Sequence, residues 1–92
     1  MSQFHETFDG LDEKTKDMSR AIHSLLEELE AIDLYEQRIN QSSDSKLKEI
    51  LAHNRDEEKE HTLMLFAWIK KQDSVFAEKF AEMNENRLDV KI

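Results

Sequence analysis

The sequence predicts an all-α protein: two long antiparallel helices plus a short C-terminal helix, forming a four-helix bundle only on dimerisation. Three observations carry this. The 92 residues contain no Pro and a single Gly, and 37% of them are charged, a composition of long solvated helices and not of sheets with their turns. Two apolar stripes of helical period, each roughly 28 residues or about 42 Å long, flank one short polar cluster. Finally, residues 63–69 (LMLFAWI) are apolar around most of the helix circumference. A helix apolar on both sides is buried on both sides, and two helices cannot do that alone.

Residues 1–10 show no sustained period and end at the only glycine, so 1–11 read as a flexible N-terminal tail. Phe4 and Phe8 are candidates to dock within an assembly, and His5 reads as solvated. Asp12 is the expected N-cap of the first helix, with Glu13 in its first turn. Met18, Ile22, Leu25, Leu26, Leu29 and Ile32 form its stripe, which continues through Tyr35 to Ile39 and stops at the polar run Asn40 to Asp44. Ser43 or Asp44 can cap a second helix, from about Ser45 to Gln72. Its stripe carries Leu47, Ile50, Leu51, Leu65, Trp68 and Ile69. Matched lengths and a short connection make an antiparallel hairpin over 12–72. Asp73 or Ser74 caps a third helix with Val75, Phe76, Phe80 and Met83 on one side, ending near 84–86. Residues 73–92 are thus a short helix and a tail.

Net charge is −8 and the isoelectric point is near 4.9. This argues against nucleic acid as a partner and suits a surface that attracts cations. With no cysteine, disulfides and thiolate metal sites are excluded. No apolar run approaches the roughly 20 residues that span a bilayer, and the N-terminus has no signal-peptide pattern. A soluble intracellular protein is expected.

The chemistry is carried by Glu58-Lys59-Glu60-His61. At 100° per residue Glu58 and His61 fall within the apolar stripe, while Lys59 and Glu60 point away. A carboxylate alone among Leu, Ile and Trp is costly unless paired with a cation or bound to a metal. In the first helix Glu28 sits at the stripe's edge, whereas Glu27 and Glu30 face away and read as solvated surface. Glu28 lies about 15 residues before the middle of the loop, and Glu58 to His61 lie about 15 to 18 after it. An antiparallel hairpin therefore brings Glu28, Glu58 and His61 level. Tyr35 follows Glu28 on the same side, as an interface tyrosine or a hydrogen-bond donor behind the site. His53 falls off the stripe, and Asn54 within it needs a hydrogen-bond partner.

Carboxylate-bridged dimetal bundles take a Glu from each of two helices and a Glu-x-x-His from each of two others. This chain supplies one of each, so a two-fold dimer supplies the full set, with equivalent residues facing across the axis. Carboxylates and imidazole suit iron, manganese or zinc. Such a centre could oxidise iron(II) or, in a rubrerythrin-like manner, reduce peroxide. Alternatively, the cluster is a buried polar network or structural metal site in an acidic helical scaffold.

Residues 26–38 (LEELEAIDLYEQR) and 50–61 (ILAHNRDEEKEH) resemble the two signature stretches of the encapsulated ferritins, over both long helices and about two thirds of the chain. The resemblance implies a ferritin-like four-helix bundle formed by two hairpins, with a di-iron ferroxidase centre between them. It further implies five such dimers in a ring-shaped decamer housed in a cytoplasmic encapsulin nanocompartment. Iron(II) would be oxidised at the centre and mineralised in the shell. By position, Glu28, Glu58 and His61 match the family's iron ligands and Tyr35 its hydrogen-bonding tyrosine. Glu27 and Glu30 match acidic residues that attract incoming iron. Two features depart from the pattern: Leu34 stands where relatives commonly have tryptophan, and no shell-docking peptide is recognisable in the ending RLDVKI.

Overall fold

The computed structural model describes residues 6–85 and has three α-helices in the order the periodicity demands. A 3-10 turn at Phe8–Gly10 precedes α1 (Glu13–Gln41), α2 (Ser45–Gln72) and α3 (Ser74–Glu85). Each helix starts on an aspartate. The Asp12 carboxylate accepts from the Thr15 N–H at 2.7 Å and that of Asp44 from Leu47 N–H at 2.9 Å. Asp73 accepts from Val75 and Phe76 at 2.9 and 3.1 Å. These bonds satisfy N–H groups that a helix leaves without partners in its first turn. The bond to the Thr15 backbone is also the main reason Asp12 is held below the usual carboxylate range. Asp73 has a second task, since its own N–H closes α2 on the Ile69 carbonyl at 3.0 Å. One residue thus ends α2 and begins α3.

The turn at residues 8–10 falls in the stretch expected as a tail. Its Phe8 ring lies under two cations of α1, the Lys16 ammonium at 5.5 Å and the Arg20 guanidinium at 5.2 Å from the ring centre. Residues one turn apart on a helix stack above each other, which is why both reach one ring. Phe4, His5 and the terminal RLDVKI lie outside the described residues.

In the antiparallel hairpin, a single seam joins α1 to α2. On α1 it is lined by Met18, Ala21, Leu25, Glu28, Ile32, Tyr35 and Ile39. On α2 it is lined by Lys48, Leu51, Arg55, Glu58, Thr62, Leu65 and Ile69. All are buried or half-buried, and both rows advance by alternate steps of three and four, the spacing of helices that pack lengthwise. The core is at the end nearer the termini, where Ala21, Leu25 and Ile69 are buried with Met18, Leu65 and Phe66 against them. Toward the loop the seam turns polar. Arg55 reaches across it to the Glu36 carboxylate and also holds Asp56. These contacts raise the Arg55 pKa, that to Glu36 most, and lower that of Asp56.

The sequence's broad α2 stripe separates into two rows in the structure. Leu51, Leu65 and Ile69 face α1, but Leu47, Ile50, Met64 and Trp68 lie one step round the helix and are open. Ile22, Leu26 and Leu29 of α1 are open too, but the side of α1 beside Trp68 carries Asp17, Arg20 and Ser24. Two helices share only one line of contact, so a stripe wider than that line leaves half of itself uncovered. Three buried apolar residues among those described are too few to offset roughly 1–2 kcal/mol of backbone entropy for each of some 80 ordered residues. The hairpin is therefore an incomplete folding unit.

Ile69 is the most enclosed side chain of the core, at 1% exposure. Ile69→Ala should cost about 2–5 kcal/mol, read as a lowered midpoint in urea or thermal unfolding. An unchanged midpoint would mean that the core lies elsewhere.

Candidate metal centre

Glu58 and His61 stand three residues apart on α2 and thus on one face, with Glu28 across the seam. The His61 Nδ1 atom is 3.5 Å from the Glu28 carboxylate and 3.7 Å from that of Glu58. One donor atom from each of the three residues can be chosen so that all lie within 4.8 Å of one another. The carboxylates are about three-quarters covered, whereas His61 is about half open, because it belongs to the outer row. The cluster therefore sits at the edge of the seam and opens onto the uncovered face.

Its electrostatics favour a cation. One oxygen of Glu28, Oε2, is buried and has no hydrogen-bond partner among the described residues, a costly state for a carboxylate. Glu58 is pushed above its ordinary range, first by hydrogen bonding with Glu28, then by burial and the like charge of Glu28; His61 opposes the rise. A bound cation would favour the ionised form of both carboxyls. The nearby Arg55 cannot take that role, since Glu36 and Asp56 already engage it. Two carboxylates and an imidazole form a donor set for iron, manganese or zinc, and the unpartnered oxygen marks where the charge is needed.

Of the residues singled out by sequence, Glu28, Glu58 and His61 are brought together. Tyr35 shares the seam but is seven residues, or about 10 Å of helix, beyond Glu28; the Arg38 guanidinium lies 5.7 Å from its ring centre. Glu27 and Glu30 are exposed on α1 and stand outside the cluster. His53 is exposed, 3.5 Å from Glu57, and Asn54 is half-buried on the outer row. Two seam residues next to the site were not singled out. Thr62, buried one turn after Glu58, donates to the Glu58 carbonyl at 2.9 Å, and Arg55 stands one turn before it. Stepping back from Ile69 by four and three finds both, a signal that a search for apolar residues passes over.

The chain is similar to several known proteins. A family model described as EncFtn-like matches residues 3–86. An encapsulated ferritin-like protein of Rhodospirillum rubrum is 51% identical over 74 residues, covering 80% of this chain and 53% of that protein. A ferritin-like protein of Thermotoga maritima is 45% identical over 69 residues, 75% of this chain and 60% of its own. The chain thus spans between half and two thirds of the length of these curated relatives. A crystal structure of a Nitrosomonas europaea protein superposes with a TM-score of 0.84 at 52% identity, covering 88% of this chain and 89% of the other. Among the described residues, no helix is long and apolar enough to cross a membrane.

The raised Glu58 pKa has a definite consequence for the metal-free protein. A carboxyl that binds its proton more tightly folded than unfolded adds stability in full below the ordinary glutamate value, and that contribution is lost as pH rises through the raised one. Glu58→Gln should remove this dependence above the ordinary glutamate value of about 4.3 and raise the melting midpoint without metal. Each 1 kcal/mol gained is worth roughly 4–8 °C in a domain of this size. The same change should weaken metal binding by calorimetry. A variant that melts lower than the parent at neutral pH would show that the two carboxyls do not repel.

Proposed function

The chain belongs to the EncFtn-like family, and from that premise we propose that it is a ferroxidase. In this reading it oxidises iron(II) to iron(III) at a di-iron centre shared across a two-fold subunit interface. The observation that carries the proposal is where the cluster lies along the hairpin. α1 runs from 13 to 41 and α2 from 45 to 72, so Glu28 is one residue from the middle of α1 and Glu58 is at the middle of α2. A two-fold axis through this level overlaps both helices along their full length and brings the two open clusters face to face. An axis displaced along the bundle would leave helix ends uncovered and separate the half-sites. The apolar outer row of α2, Leu47, Ile50, Met64 and Trp68, supplies contact surface.

In that dimer two Glu28, two Glu58 and two His61 hold a pair of iron(II) ions as substrate. Glu28 and Glu58 supply bridging negative charge in their ionised form. His61 donates a ring nitrogen as neutral imidazole. Tyr35, further along the seam, is assigned a hydrogen-bonding role behind the centre. Glu27 and Glu30 draw cations toward the helix surface beside it. Electrons pass in pairs to oxygen, and ferric product leaves for mineralisation elsewhere. The family resemblance adds a ring-shaped decamer of five dimers, an encapsulin shell protein as partner and a cytoplasmic nanocompartment as location.

Glu28→Ala, Glu58→Ala and His61→Ala should each reduce iron oxidation, followed as ferric absorbance under air, to the rate of iron in buffer alone. Glu27→Ala and Glu30→Ala should slow it by roughly tenfold or less, in a salt-dependent manner. The parent should have the solution mass of a dimer or a multiple of one. Three ligand variants that keep pace with the parent, or an active monomer, would refute the shared centre.

A further inference from the structure

Met64 is 64% exposed on the outer row, one turn after His61. Side chains three apart on a helix have Cβ atoms about 5–6 Å from each other. Helical side chains also lean toward the N-terminus, so the Met64 thioether covers the turn that carries His61. The other exposed apolar side chains of this row, Leu47, Ile50 and Trp68, hold no sulfur. The remaining described methionines lie apart from the cluster. Met18 is half-buried against the apolar core, and Met83 is 46% exposed on α3.

We propose that Met64 is a sacrificial methionine for the cluster: its thioether takes the oxygen atom of hydrogen peroxide that arises or arrives beside Glu28, Glu58 and His61. This rests on the iron-oxidising reading above. Two iron(II) ions give one electron each to oxygen, which takes up two protons and leaves as hydrogen peroxide. The thioether then attacks the peroxide. The O–O bond breaks, an S–O bond forms, sulfur is oxidised by two electrons to methionine sulfoxide, and the other oxygen leaves as water. The two-fold partner closes the outer row over Met64, which keeps peroxide from bulk solvent away while leaving the side chain open to oxidant formed inside.

Peptide mass mapping of the full chain tests this in three arms, with sulfoxide on Met64 compared with that on Met83. The first arm gives iron(II) under air, with ferric absorbance recorded in the same sample. The second gives iron(II) with hydrogen peroxide and no oxygen, and the third gives hydrogen peroxide without iron. Both iron arms should place several-fold more sulfoxide on Met64 than on Met83, whereas peroxide alone should favour Met83. Met64→Leu should keep the initial rate of iron oxidation and show no new sulfoxide at that level. Met64 no more oxidised than Met83 in both iron arms overturns the proposal. A first arm without ferric signal, joined to a Met64-selective second arm, refutes oxidation by oxygen while supporting the capture of peroxide at the cluster.

Discussion

The structure depends on two carboxylates facing each other across a helix seam. Glu28 and Glu58 occupy positions where the row pattern calls for apolar side chains, and their pairing pushes Glu58 above its ordinary range. The rest of the hairpin keeps them there. Aspartate caps fix where α1 and α2 begin, and a connection of three residues, 42–44, fixes their offset. The Arg55–Glu36 bridge ties the polar end of the seam, while Ile69, Leu25 and Ala21 tie the apolar end. With both ends held, neither carboxylate can slip out of register to relieve the repulsion. A site strained when empty and satisfied when occupied is the expected form of a binding site placed in a core.

Half a site and half a fold coincide in this chain. The buried apolar set is small, and Leu47, Ile50, Met64 and Trp68 are left open on the face where the cluster opens. One event, pairing with a second hairpin, would cover that face and complete the donor set. α3 presents Val75, Phe76 and Phe80 as a further exposed apolar side, held to α2 in part by the Lys70 ammonium over the Phe80 ring at 4.4 Å.

The fold was legible because its signals are long and redundant. Two stripes of about 28 residues, one polar break and an aspartate before each helix leave little choice, and the boundaries of α2 follow from them directly. The cluster was legible for a related reason: Glu58 and His61 interrupt an apolar pattern, and counting from the loop brings Glu28 level with them. What the wheel could not resolve was which part of a wide stripe faces α1. Seam and outer rows are adjacent on the circumference, and both hold Leu, Ile and polar residues. Only the crossing of a second helix separates Ile69 from Trp68, or Glu58 from His61. Thr62 and Arg55 were passed over because their burial follows from position in the row and not from residue type. Phe8 was expected to dock within an assembly. Its place under Lys16 and Arg20 was not foreseen because cations eight and twelve residues after a ring are not a periodic signal.

His61 belongs to the outer row, and this separates the two halves of the donor set by what each requires. Glu28 and Glu58 meet within one chain, so folding of the hairpin suffices to create their repulsion. His61 is half open and gains a dry environment only when the outer row is covered. A cation bound by the carboxylates alone would keep much of its solvent, whereas one held also by a covered His61 would be enclosed by protein. In the proposed dimer, closing the face would therefore strengthen cation binding, and by linkage a cation held by both chains would strengthen closure by the same free energy. The acidic charge of the chain, −8 in all, works against pairing two copies. A divalent pair at the point of closest approach offsets part of that repulsion where the distance between charges is smallest and water is most excluded.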